Sequence, residues 1–373
     1  MKKSEDYRYW LYEYKYNTFS PFLDYVSSLI RKRNIRINVL LIKAQVDLKE
    51  ELERWIPANF DVKLKEGGEL LTLYITKDPE NDEKKKTVKA RIVKYSESPS
   101  IYLVISDCRT SEFKEIITKV LNKHYPKISR MFLSNSEMKV IFDKMKDKTK
   151  LDLIIEFAVG KKRIPNKKKK ESEVKYTDAP YGEVFDKILV QDQWLEGVRF
   201  RGEKVIKEDI NLKETEFIGT MSRSCFFSSK IDITPLLKII IPETIQLTSG
   251  RNERLEISSE SAKNIQPEPV VIRFDKSIFS EISKNRQYIN AIAELEACSI
   301  SEYHTNPYIH IGMLDYLDGS SYDIWVLESD RMAIIPQLSA SSASLSRIVN
   351  HIFERIHEGH VEKYEKIEIT AES

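Results

Sequence analysis

Glycine and cysteine are scarce in this sequence, with 11 and 3 among 373 residues. The few glycines form neither G-x-G-x-x-G nor G-x-x-x-x-G-K-[ST], so the loops that cradle phosphates with backbone amides are missing. G-x-S-x-G, H-E-x-x-H and C-x-x-C are absent as well. These absences count against the best-marked nucleotide-dependent enzymes, α/β hydrolases and zinc proteins. Cys108, Cys225 and Cys298 are odd in number and far apart, poor material for a disulfide framework or a zinc site. They suit a reducing cytosol, so a cytoplasmic location is expected. No stretch approaches the ~20 apolar residues of a membrane helix. The N-terminus starts basic, but Glu5, Asp6 and Arg8 interrupt it before any apolar core, so neither a signal peptide nor a membrane partner is expected.

The hydrophobic share is 41% and the aromatic share 10%, enough for most of the chain to bury a core. Its length fits two domains. The net charge of +2 conceals an asymmetry: residues 144–170 carry 11 basic and 3 acidic side chains, and residues 281–373 carry 15 acidic and 7 basic.

Trp10, Tyr12, Tyr14 and Tyr16 alternate as in a strand. A helix is predicted over 20–32, then a buried strand over 37–44. Asp47 and Glu50 predict a capped helix ending before Pro57. Strands are predicted over 69–77, 87–95 and 101–106, where Val88, Ala90 and Ile92 alternate with Lys89 and Arg91 as on a sheet with one wet face. A helix follows over 113–121. Ser134 and Glu137 form a second capping box, opening a helix that precedes a strand over 151–159.

The stretch 161–176 is Lys-rich, contains Pro165 and has few apolar residues. It reads as a basic linker between an N-terminal domain, 1–160, and a C-terminal domain, 177–373. In the second half, strands are predicted near 197–207 and 214–229, a helix over 233–239 before Pro242, and short strands at 253–258 and 269–274. A meander over 308–337 then precedes a helix whose stripe is Leu345, Ile348, Val349, Ile352, Phe353 and Ile356, with Gly359 as its C′ residue. The expected fold class is α+β: two domains, each an antiparallel or mixed sheet covered by amphipathic helices. A meander followed by a helix recurs at 69–122 and 308–358.

Three constellations carry chemistry. His351, His357 and His360 with Glu354 and Glu358 are a loose metal-ligand pattern, but His351 and His357 fall nearly opposite on a helix and a helix C-terminus explains them more simply. Asp152 and Glu156 share one face of a strand, with Lys161 and Lys162 beyond. Such carboxylates would hold Mg²⁺ in a metal-dependent nuclease. Asp107, Glu112 and Lys114 resemble the same pattern, but two positions apart on a helix do not share a face. Asp315, Asp318 and Asp323 bracket the turn LDGSS. Lys161, Lys162, Arg163, Lys167, Lys168, Lys169 and Lys170 form a dense basic tract that would attract phosphates without reading bases.

Charge segregation favours a non-catalytic nucleic-acid-binding or scaffold subunit of a larger intracellular assembly, contacting nucleic acid through the basic tract and a protein partner or a second copy elsewhere. No resident cofactor or metal is implied. Mg²⁺ belongs only to the alternative of a metal-dependent nuclease. A further alternative is a purely protein-binding subunit of a bacterial, antiviral defence-type system. No motif decides whether the protein is an enzyme.

Overall fold

The computed structural model describes residues 18–33, 35–54, 56, 58–78, 80, 85–98, 100–163, 173–207, 212–257, 268–337 and 339–363. The protein is mixed α+β, and among the described residues it forms one antiparallel sheet of 12 strands and one of 6. Among the described residues no helix is long and apolar enough to cross a membrane. The chain divides into two compact units, Met1–Lys161 with Glu173–Gln246, and Lys162–Ser172 with Leu247–Ser373.

The first unit opens with α1 (Phe19–Arg33), β1 (Ile37–Ala44) and α2 (Leu48–Arg54). The meander β2 (Phe60–Gly67), β3 (Leu70–Lys77), β4 (Lys86–Lys94) and β5 (Ile101–Ser106) follows. Next come α3 (Thr110–Glu112), a π-helical turn (Phe113–Thr118), α4 (Lys119–Asn122) and β6 (Ile128–Arg130). One face of β1–β5 supplies Leu40, Val62, Leu73, Val88 and Val104 to a hydrophobic cluster shared with Leu52, Phe113 and Ile117 of the helices. The unit continues through α5 (Asn135–Thr149), β7 (Asp152–Lys162), β8 (Val174–Tyr176), β9 (Ala179–Pro180) and α6 (Tyr181–Val190). It then runs through β10 (Gln193–Lys207), β11 (Leu212–Ser222), β12 (Phe226–Lys230) and a π segment (Leu236–Ile240) joined to α7 (Ile241–Arg254), whose residues from Leu247 onward fall to the second unit.

The second unit contains β13 (Val270–Phe274), a 3-10 turn (Ile282–Lys284), α8 (Asn285–Ala293), β14 (Cys298–His304), β15 (His310–Asp315), β16 (Ser321–Glu328), β17 (Arg331–Pro336), α9 (Ser342–Arg355) and β18 (Gly359–Lys363). Its interior takes Ile272 of β13, Ile311 of β15, Ile324 of β16 and Ile334 of β17. The stripe Leu345, Ile348, Val349, Ile352, Phe353 and Ile356 is buried along its whole length.

Residues 37–130 and 270–363 run the same course: strand, helix, four-stranded meander, helix, strand. The sheet orders match too, β2-β3-β4-β5-β1 and β14-β15-β16-β17-β13. The closing strands β6 and β18 pair antiparallel with β1 and β13 respectively.

Several local expectations differ from the structure for identifiable reasons. Strands β2 and β14 were not predicted. In FDVKLKEG, Phe60, Val62 and Leu64 alternate with Asp61, Lys63 and Lys65, a strand signal that sequence reading missed, whereas CSISEYH is mostly polar and its alternation is faint. The helix at 233–239 runs on past Pro242 to Arg254. Pro242 is the second residue of the α segment and directly follows the π segment, a local departure from regular α-helical bonding. Gly359 is a strand residue rather than a helix cap. A Cβ there would lie 2.5 Å from the Arg273 carbonyl oxygen, so the close approach of β13 and β18 demands glycine. Strands β10–β12, expected in the C-terminal domain, belong to the first sheet: β12 pairs with β1, and β10 lies beside β7. Alternation marks a strand without naming its partner. The aromatic ladder at 9–16 and Lys167 to Lys170 lie outside the described residues.

Candidate nucleic-acid interface

The meander β2–β4 places a basic ladder on the sheet face opposite the hydrophobic cluster. Gly68, at φ 66°, supplies the left-handed conformation that a tight hairpin needs between β2 and β3. The pairing then fixes three rows across the strands. Lys63 faces Tyr74, which faces Lys89. Lys65 faces Thr72, which faces Arg91. Asp61 faces Thr76, which faces Thr87. The alternate residues Val62, Leu73, Ile75, Val88, Ala90 and Ile92 are buried, so these rows point the other way.

Tyr74 is the centre of the ladder. Lys65 Nζ and Lys89 Nζ each lie 5.4 Å from its ring centroid. Such cation–π contacts contribute about 0.5–1 kcal/mol each at exposed sites and hold the ammonium groups over the ring. Lys63 and Lys65 are exposed, and Tyr74 and Lys89 are half-buried. Lys63 pairs with Asp61 at 3.1 Å. Arg91, 7% exposed, donates to the Thr72 hydroxyl, and the Thr76 and Thr87 hydroxyls share a 3.0 Å hydrogen bond. Three lysines and one carboxylate around an aromatic ring, with the Thr76 and Thr87 hydroxyls beside them, make a surface suited to phosphodiester oxygens, while Arg91 is buried beneath it. The alternation of Lys89 and Arg91 with buried residues was visible in the sequence. The row was not, because it joins strands whose register only the fold fixes.

The residues expected at the interface are dispersed. Lys161 pairs with Glu196 at 3.1 Å and lies 5.2 Å from the Trp194 ring centroid, while Lys162 is exposed at the end of β7. Arg163 is 4% exposed. It donates to the Phe353 carbonyl and lies 3.4 Å from Glu358.

The expected carboxylates are held by cations. Asp152 pairs with Lys213 at 3.1 Å, and Glu156 pairs with Arg199 at 2.6 Å and Arg201 at 3.9 Å. Glu203 joins the two, since it pairs with both Lys213 and Arg201. Among the described residues no three or more His, Cys, Asp or Glu side chains come together as a group able to hold a metal ion.

The remaining constellations are structural. Glu112 accepts from the Arg109 amide at 3.3 Å, and Lys114 lies over the Phe226 ring. Asp318 accepts from the Ser320 amide at 2.9 Å, and Asp323 accepts from Gln337 at 3.2 Å. The histidines take separate partners: His351 the Ala291 carbonyl at 2.8 Å, His357 the Glu358 carbonyl at 2.7 Å and His360 the Asp275 carboxylate at 3.4 Å. Burial pushes the Cys108 thiol up to about 12, which makes it a poor nucleophile.

Comparison with known protein families and with curated proteins finds no match to this sequence.

Proposed function

We propose that the protein is a non-catalytic nucleic-acid-binding subunit of a cytoplasmic assembly, built as two α+β domains, each a sheet covered by amphipathic helices. The observation that supports this reading is the Lys63–Tyr74–Lys89 ladder, with Lys65 beside it. Lysines held around an aromatic ring attract phosphates without selecting a sequence. The basic tract Lys161, Lys162 and Lys167 to Lys170 adds further cations in the sequence for phosphates to meet. The acidic C-terminal region, net −8 over residues 281–373, supports a protein partner or self-association beside nucleic acid.

A mobility-shift titration with mixed-sequence nucleic acid tests the reading. Wild type should bind, and Lys63→Glu/Lys65→Glu/Lys89→Glu should bind far more weakly while folding normally by circular dichroism. Equal binding by the variant would remove the ladder from the interface. No binding by wild type at low salt would end the nucleic-acid reading.

A further inference from the structure

The outer face of the sheet in the second unit exposes aromatic rings. Tyr303 of β14, His310 of β15 and Trp325 of β16 touch in sequence across the strands. The Tyr303 and His310 centroids are 4.8 Å apart with the rings at 58°, and those of His310 and Trp325 are 4.3 Å apart at 43°. The Tyr303 ring lies across β15 at Gly312, where a Cβ would come within 2.6 Å of the tyrosine hydroxyl. Ile311, Ile324 and Val326 are buried on the other face. Tyr303 is 60% exposed and Trp325 42%.

Rings tilted against one another offer no flat seat for another ring. Each exposed ring face is nonetheless negative at its centre and attracts a cation whatever the tilt of its neighbours. A carboxylate adds to that attraction. Asp323 lies on the same face of β16, two positions from Trp325 and therefore about 7 Å along the strand, and it faces Gly312 across the ladder. It accepts from the neutral Gln337 amide at 3.2 Å and, among the described residues, has no cation as partner. The arginines on this face are already matched, Arg331 lying 3.7 Å from Glu328 and Arg273 3.2 Å from Glu362. Residues 281–373 carry net −8, so the wider field also draws cations and repels phosphates.

We infer that the Tyr303–Trp325–Asp323 face is a docking site for a basic segment of a partner protein, with a lysine or arginine side chain laid on the rings and its charge at Asp323. The inference rests on the protein-partner part of the reading above and gives that partner its chemistry. An open sheet face has no walls to enclose a small free cation. A peptide crossing it gains further contacts from Leu314 and Leu327, which are 38% and 37% exposed on the same face. This chain's own basic tract is partly committed, Lys161 to Glu196 and Arg163 to Glu358, so the docking segment is assigned to another protein.

Anisotropy titrations of the full chain with short labelled peptides test it. The probes alternate Lys with Thr, Leu with Thr, or Glu with Thr. The Lys-Thr peptide should bind wild type, and the other two should bind far more weakly. Trp325→Ala should weaken Lys-Thr binding about two- to fivefold, the worth of one exposed cation–π contact. Trp325→Phe keeps a ring and should lose less, which separates the ring face from a folding defect. Asp323→Asn should weaken binding and flatten its salt dependence. Tyr303→Ala/Trp325→Ala/Asp323→Asn should weaken it about tenfold or more. Lys63→Gln/Lys65→Gln/Lys89→Gln should bind the peptide as wild type does, so this site and the lysine ladder are tested separately.

Equal binding of the Leu-Thr peptide would overturn the inference, because the face would then be merely apolar. Unchanged Lys-Thr binding by the triple variant at Tyr303, Trp325 and Asp323 would overturn it by placing the cation elsewhere. No Lys-Thr binding by wild type at low salt would overturn it and leave the lysine ladder standing. Self-association of wild type by light scattering, abolished both by Trp325→Ala and by changing Lys167 to Lys170 to Glu, would overturn the partner in favour of a second copy.

Discussion

Arg347 Nη1 lies 2.7 Å from Asp315 Oδ2, a carboxylate with no exposed surface. The same oxygen accepts from the Ser344 hydroxyl at 2.7 Å, and Oδ1 accepts from the Leu317 amide at 2.9 Å. Asp315 thus ties the end of β15 to α9. Removing the arginine leaves a buried charge without its counterion, which costs about 3–5 kcal/mol in comparable sites. Arg347→Met should lower the urea midpoint accordingly. A loss below ~1 kcal/mol would show that the serine and the amide suffice.

Gly359 makes a prediction of opposite character, because it adds an atom. A Cβ 2.5 Å from the Arg273 carbonyl oxygen must push β13 and β18 apart. Gly359→Ala should therefore destabilise by about 1–3 kcal/mol. As a helix cap it would show a different signature, a penalty tied to left-handed backbone. Gly359 is not among the residues of positive φ, so thermal unfolding of Gly359→Ala against Gly359→Asn separates the cases. Asn relieves a left-handed cap but clashes more than Ala in a tight pair of strands.

Two buried histidines set a pH dependence. Burial lowers the pKa of His351 from 6.5, against the opposing pull of the Ala291 carbonyl. Burial likewise lowers that of His124, although Glu51 opposes it. A base whose folded pKa is lowered takes up its proton more readily when unfolded. Its contribution is therefore full above the unfolded pKa and declines as pH falls from 6.5 toward the lower folded value. Urea midpoints between about pH 7.5 and about pH 5 should fall with acidification. His351→Gln, which can still donate to the Ala291 carbonyl, should reduce the slope. An unchanged slope would mean that His351 titrates as it does when unfolded.

The helices and most strands were legible because their signals are local. Ser134 and Glu137 form the expected reciprocal cap, and the Asp47 carboxylate accepts from the Glu50 amide at 2.9 Å. The α9 stripe is buried as its period requires. Strand partnership was not legible, since nothing in Phe226 or Phe227 says that β12 pairs with β1. The candidate sites are composed of such partnerships. Lys63, Tyr74 and Lys89 are far apart in sequence, and only register brings them together. The dense lysine tract was conspicuous for being contiguous, which is a property of sequence rather than of surfaces.

The carboxylates Asp152 and Glu156 separate a structural role from a catalytic one. Each is paired with lysine or arginine in a half-exposed ion-pair chain, and such pairs are worth about 0–1 kcal/mol. Asp152→Ala should change stability by no more than that. Mg²⁺ or Mn²⁺ should not raise the melting temperature of wild type, because the cations Lys213 and Arg199 already satisfy the carboxylates. A metal-dependent rise abolished by Asp152→Ala would restore the nuclease reading.

The lysine ladder predicts a measurable salt slope. Each phosphate neutralised releases condensed counterions, so log affinity falls with log salt by about 0.7 per contact on single strands and about 0.9 on duplex. If Lys63, Lys65 and Lys89 each meet one phosphate, replacing all three with Gln should reduce the slope on a single strand by about 2. Tyr74 should behave differently, because its ring carries no charge. Tyr74→Ala removes the surface on which Lys65 and Lys89 are held, at 5.4 Å each, and should weaken binding with little change in slope. Tyr74→Phe keeps the ring and should bind nearly as wild type. A Tyr74→Phe defect as large as that of Tyr74→Ala would place the hydroxyl, rather than the ring face, at the contact. An unchanged slope in the triple Gln variant would mean that phosphates meet the protein elsewhere.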